Sequence, residues 1–153
     1  MKIFLIGFMG CGKTTIGKQL AQDTGFDFVD TDRLIEKQQG LTISEIFEQH
    51  GEAYFRELER KMLLFLQSWN SSIVVATGGG MPCCGDNIDV MLACGKVAYL
   101  KTSPQKLAKR LIISQSERPL IKGKTETELK KYISEQLAIR EKFYNRANIT
   151  IET

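Results

Sequence analysis

The stretch Gly7-Phe8-Met9-Gly10-Cys11-Gly12-Lys13-Thr14 fits G-x-x-x-x-G-K-[ST] at every defined position, and no other feature constrains the fold so tightly. Residues 3–6, Ile-Phe-Leu-Ile, form the short apolar run of a strand buried on both faces. From Lys13 onward the pattern is helical, with Ile16, Leu20 and Ala21 on one side. Strand, glycine loop and helix in that order are the context the motif requires. Gly7, Gly10 and Gly12 let successive N–H groups curl around phosphate oxygens, and the helix N-terminus adds unpaired donors. Lys13 is expected to hold β/γ-phosphates, and the Thr14 hydroxyl to ligate Mg²⁺. A plain glycine turn is the alternative, but spacing and context both argue against it. A nucleoside triphosphate is the expected ligand.

Further strands are expected over residues 26–29, 73–76, 96–100 and 147–151. Capping patterns open helices at Thr42, Ser103-Pro104 and Thr125, and a long helix spans residues 52–68 with an apolar stripe at Phe55, Leu58, Met62, Phe65, Leu66 and Trp69. This alternation predicts one α/β domain over residues 1–153, a parallel sheet covered on both faces, with ligands at the strands' carboxyl ends. Residues 114–124 are polar and interrupted by Pro119 and Gly123, the composition of a mobile loop. A net charge of +3 without a dense Lys/Arg block gives no reason to expect nucleic acid. No apolar run reaches membrane-spanning length, and Met1 leads straight into the first strand, so a cytoplasmic protein without membrane contact is expected. The four cysteines contain no C-x-x-C pair and there is one histidine, His50, at an expected helix end; neither zinc nor a disulfide is expected. Cys11, beside Lys13 at a helix N-terminus, should be the more reactive thiol.

Asp30 and Asp32 follow the second strand and are expected to point to one face, with a turn or helix cap as the plain alternative. The apolar strand at residues 73–76 ends in Thr-Gly-Gly-Gly with no carboxylate, which leaves this pair as the substitute for the usual second-strand acid. One carboxylate could hold a metal-bound water while the other accepts a hydroxyl proton. Three glycines in a row, Gly78, Gly79 and Gly80, suit close approach of a ligand to main chain. On the last helix Arg140 completes the buried stripe of Leu129, Ile133, Leu137 and Tyr144, so it needs a carboxylate or phosphate, whether internal or bound. Arg56 flanks its own helix's stripe, with Glu52 and Glu59 in reach of a surface pair. Arg118 is a loop charge that in a kinase could close over phosphate.

Taken together these segments resemble the shikimate kinase family over nearly the whole chain. The phosphate loop with its Gly-Phe-Met opening, Asp30-Thr31-Asp32, Phe55-Arg56-Glu57-Leu58-Glu59, Gly78-Gly79-Gly80, Arg118-Pro119-Leu120 and Arg140-Glu141-Lys142-Phe143-Tyr144 carry the likeness. The resemblance implies a three-layer α/β/α phosphate-loop kinase of the nucleoside-monophosphate-kinase type, with five parallel strands in the order 2-3-1-4-5. It implies transfer of the ATP γ-phosphate to the 3-hydroxyl of shikimate, with Mg²⁺, by a monomer. Gly10, Cys11, Gly12, Lys13, Thr14 and Thr15 would bind ATP, Arg110 would pack on adenine, and Arg118 would come in with a lid at about residues 114–124. Asp30 would act on the metal through water, and Asp32 would bind the shikimate hydroxyls and serve as base. Arg56 and Arg140 would clamp the carboxylate, Gly78, Gly79 and Gly80 would line the pocket by main chain, and helices at about residues 32–60 would carry the acceptor side. Another small-molecule kinase of this fold, such as a gluconate kinase, and a non-catalytic nucleotide-binding regulator are the alternatives.

Overall fold

Apolar runs at residues 3–6 and 73–76 are too short and too continuous for surface helices, and they form two adjacent interior strands of a parallel sheet. The computed structural model describes residues 1–114 and 120–153. Strands β1 (Lys2–Ile6), β2 (Asp27–Asp30), β3 (Ile73–Ala76), β4 (Lys96–Lys101) and β5 (Ile149–Glu152) lie in the order β2-β3-β1-β4-β5. Every neighbouring pair is parallel, as expected. Alternation along β1 divides the core: Phe4 and Ile6 enter the larger cluster, while Leu5 joins Val74, Ala98 and Ala21 on the opposite face. The smaller face is covered by α1 (Lys13–Thr24). Gly17 allows that close seating, since a Cβ there would lie 2.6 Å from the Phe28 ring. The larger face is covered by α4 (Glu52–Gln67), α5 (Asn87–Cys94), α6 (Pro104–Ile113) and α7 (Glu126–Tyr144).

Ala76 pairs in register with both Leu5 and Asp30. The phosphate loop after β1, the acidic pair after β2 and the glycine triplet after β3 therefore emerge side by side at one edge of the sheet. That alignment makes the site.

Three features differ from the sequence reading. Helix α2 (Thr31–Gln39) begins directly after β2, so Asp32 sits in a first helical turn rather than on extended chain. It was hard to see because only Thr31 and Ile35 of α2 are buried, too few to show a period. Helix α5 lies where no helix is expected; its sequence, Asn-Ile-Asp-Val-Met-Leu-Ala-Cys, is nearly uniformly apolar. On α4 the buried stripe is Phe55, Glu59, Met62, Leu63 and Leu66, whereas Phe65 is exposed. The stripe of α7, including Arg140, is as expected. Helix α3 (Ile43–His50) opens on the expected capping box at Thr42 and ends at His50. Residues 115–119, and with them Arg118 and nearly half of the expected lid at 114–124, lie outside the described residues. Just beyond them, Ile121 is buried in the larger core cluster.

Candidate functional site

Between β1 and α1 the chain turns through Gly7, Gly10 and Gly12 with φ of 147°, 85° and 99°, a region that side chains strain. Gly7 is also closed in by main chain, since a Cβ there would sit 2.7 Å from the Leu100 carbonyl. Lys13 is buried, and its Nζ donates to the carbonyls of Gly7 at 2.6 Å and Phe8 at 3.1 Å. Its charge is thus held by the loop it would leave on meeting phosphate. Cys11 is buried beneath the loop with its Sγ 3.7 Å from Lys13 Nζ, out of reach of solvent reagents. Thr15 is exposed at the start of α1, and Arg110 on α6 reaches back to the Gly10 carbonyl at 3.4 Å.

Thr14 Oγ1 donates to Asp30 Oδ2 at 2.8 Å. The other Asp30 oxygen accepts the N–H groups of Asp32 at 3.1 Å and Arg33 at 3.3 Å, capping α2. Asp30 is therefore both the cap of α2, the plain alternative from sequence, and a partner of the phosphate loop's Thr14. A hydroxyl beside a carboxylate fits a hard cation that keeps waters and phosphate oxygens in the rest of its shell.

A cavity of about 570 Å³ opens from this point; Asp32, Arg56, Glu59 and Arg140 line it together with the glycine triplet. Met9, Thr14 and Asp30 line it too, so loop and pocket share one space. Arg140 is 6% exposed, yet no carboxylate lies within ion-pair distance of it among the described residues, and its Nη1 has no hydrogen-bond partner. Its Cζ lies 5.3 Å from the centroid of the Phe8 ring. Behind it, the Tyr144 hydroxyl donates to the Gly79 carbonyl at 2.6 Å. An internal ion pair was the plain alternative for this arginine, and it is not what the described residues form.

Arg56 is held differently. Its Nη1 donates to Glu59 Oε1 at 2.6 Å and its Nη2 to Glu52 Oε1 at 3.1 Å. The Glu59 contact is no surface pair: Glu59 is fully buried and its second oxygen has no hydrogen-bond partner. Burial pushes the Glu59 carboxyl up to about 7; Arg56 pulls the other way, and Asp32 adds to the rise. Sequence reading missed Glu59 as a site residue. The spacing Phe55, Glu59, Met62, Leu66 on α4 was the signal, since it puts an acid in the middle of a buried stripe.

The triplet turns out to make room for side chains. A Cβ on Gly78 would lie 2.5 Å from Glu59 Oε2 and 2.8 Å from Asp32 Oδ1, and one on Gly80 would lie 2.6 Å from both terminal nitrogens of Arg56. None of the three has a positive φ, so absence of Cβ rather than backbone freedom explains them. The fold thus brings together Lys13, Thr14, Asp30, Asp32, Arg56, the triplet and Arg140; Arg118 lies outside the described residues.

Comparison with known proteins places the sequence and the fold in one family. A family model described as shikimate kinase matches residues 9–153. A shikimate kinase from Parabacteroides distasonis is 44% identical over 151 residues, which is 99% of this chain and 87% of that protein. The crystal structure of shikimate kinase from Bacteroides thetaiotaomicron superposes with a TM-score of 0.94 at 41% identity, covering 99% of this chain and 86% of that one. The Acinetobacter baumannii enzyme, solved in complex with shikimate, gives a TM-score of 0.92 at 37% identity over 99% of this chain and 83% of its own.

Proposed function

The chain belongs to the shikimate kinase family, and from that premise we propose that this cavity receives shikimate and passes the ATP γ-phosphate to its 3-hydroxyl. The observation that carries the reading is Arg140, a buried guanidinium with an unpartnered Nη1 in the same cavity as Arg56 and Asp32. Leaving a cation buried and unpaired costs several kcal/mol, and a carboxylate acceptor supplies the missing partner through two parallel hydrogen bonds. Arg56, already oriented by Glu52 and Glu59, adds the second positive charge.

With the carboxylate fixed there, the acceptor's hydroxyls lie toward Asp32, which accepts the proton of the attacking hydroxyl as the hydroxyl oxygen bonds to the γ-phosphorus and the bond to the β,γ-bridging oxygen breaks, releasing ADP. Lys13 exchanges the Gly7 and Phe8 carbonyls for phosphate oxygens and follows the charge that develops during transfer. Gly10 through Thr15 and Arg110 surround the nucleotide. Thr14, and Asp30 through water, would hold Mg²⁺, which would supply charge neutralisation at the phosphates. On the sequence motif alone, Arg118 in a lid at residues 114–124 closes over the transferred group, and helices α2 to α4 form the acceptor-binding part of one domain. A monomeric, cytoplasmic enzyme acting on small molecules only is the setting this reading supposes; among the described residues no helix is long and apolar enough to cross a membrane.

Coupled detection of ADP with shikimate, gluconate and AMP as acceptors tests the assignment. Turnover with shikimate alone is the expected result. Turnover with gluconate or AMP in its place overturns it.

A further inference from the structure

Phe8 fills an unspecified position of the phosphate-loop motif, so triphosphate binding makes no demand for an aromatic ring there. Yet the ring is 1% exposed, and the Arg140 guanidinium lies over its face at 5.3 Å. Among the described residues no carboxylate pairs with that guanidinium, and Glu59 acts on it only at longer range. Its near neighbours are the Phe8 ring and the Gly79 main chain, where a Cβ would come within 3.4 Å of Arg140 Nη1. An aromatic face attracts a cation more strongly where water is excluded, and it does so without occupying the guanidinium's hydrogen-bond donors. A carboxylate in Phe8's place would satisfy Arg140 and close it to a ligand. A ring steadies the charge and leaves the fork open.

We propose that Phe8 is a positioning residue for the acceptor: its ring holds the Arg140 guanidinium in the geometry that grips the acceptor carboxylate. The inference rests on the reading of Arg140 as part of the carboxylate clamp. It adds that the phosphate loop, through a residue its motif leaves free, also builds the acceptor site.

The test is a double-mutant cycle read by kcat/KM for shikimate, with KM and kcat also taken separately. Phe8→Leu should raise KM about five- to thirtyfold with kcat changed far less, because a binding contact common to ground and transition state is lost. Affinity for a non-hydrolysable ATP analogue should stay within about twofold, since the main chain of the loop is kept. In an Arg140→Met background the same Phe8→Leu change should alter kcat/KM by about twofold or less. A loss of equal size in both backgrounds, or no loss in either, overturns the proposal. Should Phe8→Leu fail to fold, replacement of Phe8 by mono-, di- and trifluorinated phenylalanine keeps shape while draining the ring's negative face. Shikimate KM should then rise with each fluorine, and a flat series overturns the proposal. Wild-type protein that takes no shikimate overturns the underlying reading and this inference with it; shikimate turnover with a flat fluorine series overturns this inference alone.

Discussion

At the phosphate loop the buried cation, Lys13, is bonded to two carbonyls of its own loop, whereas in the acceptor pocket the buried cation, Arg140, keeps a nitrogen without a partner. Lys13 must give up protein contacts to take phosphate, so its ligand exchange is close to balanced before the phosphate charge is counted. Arg140 surrenders nothing at Nη1, and each charge-assisted bond it gains there counts for about 1.5–3 kcal/mol. The loop is made of main chain, with glycines whose missing Cβ atoms permit left-handed turns. The pocket is made of charged side chains from α2, α4 and α7, with glycines whose missing Cβ atoms leave those side chains space. One region is built to exchange partners and the other to wait for one. That difference separates phosphate transfer from acceptor choice.

The largest expected effect lies on the loop. Lys13→Met should lower kcat at least a hundredfold, on the order of 10²–10³, while shikimate affinity in the absence of nucleotide changes little. Circular dichroism checks the fold and the ADP assay the rate. Near-wild-type turnover in folded mutant would erase the contrast between the two cations.

Next come the glycines, which should fail in opposite ways. Gly7→Ala forces a side chain onto the Leu100 carbonyl at a φ of 147°, so it should cost about 1–3 kcal/mol of stability in denaturant titration. Gly80→Ala meets only the far end of the Arg56 side chain rather than main chain, so stability should change by less than about 1 kcal/mol while the displaced guanidinium binds shikimate roughly tenfold more weakly. Equal stability losses with no change in affinity would mean the triplet is merely a loop.

A smaller effect should appear in pH dependence. The buried Glu59 carboxyl keeps its proton up to about 7 in the folded chain, whereas its ordinary value is 4.5. Between those values the folded state binds more protons than the unfolded one, so this group makes stability fall as pH rises through the window. Glu59→Gln should flatten that part of the stability profile. An unchanged slope in the variant would assign it to another group.

The same contrast governs what the sequence disclosed. The strand, loop and α1 were legible because backbone function fixes glycines at set spacings, and the parallel order followed from strands alternating with helices. Arg140 was legible as well, since it stands out on an apolar stripe. Glu59 was not recognised because a nearby arginine at helical spacing reads as a surface pair until burial is known. The helical setting of Asp32 was hidden by the polar face of α2, and Phe8 by its place at a free motif position. The reason for the glycine triplet lay in side chains from α2 and α4, which only tertiary structure brings together.

The central claim, that an acceptor carboxylate completes Arg140, is tested most directly by calorimetric titration of wild type and Arg140→Lys. Shikimate and a non-hydrolysable ATP analogue are titrated separately. The substitution keeps the charge but cannot reproduce the planar fork, so shikimate should bind about ten- to a hundredfold more weakly while the analogue's affinity is nearly unchanged. Equal losses for both ligands, or unchanged shikimate affinity, would contradict it.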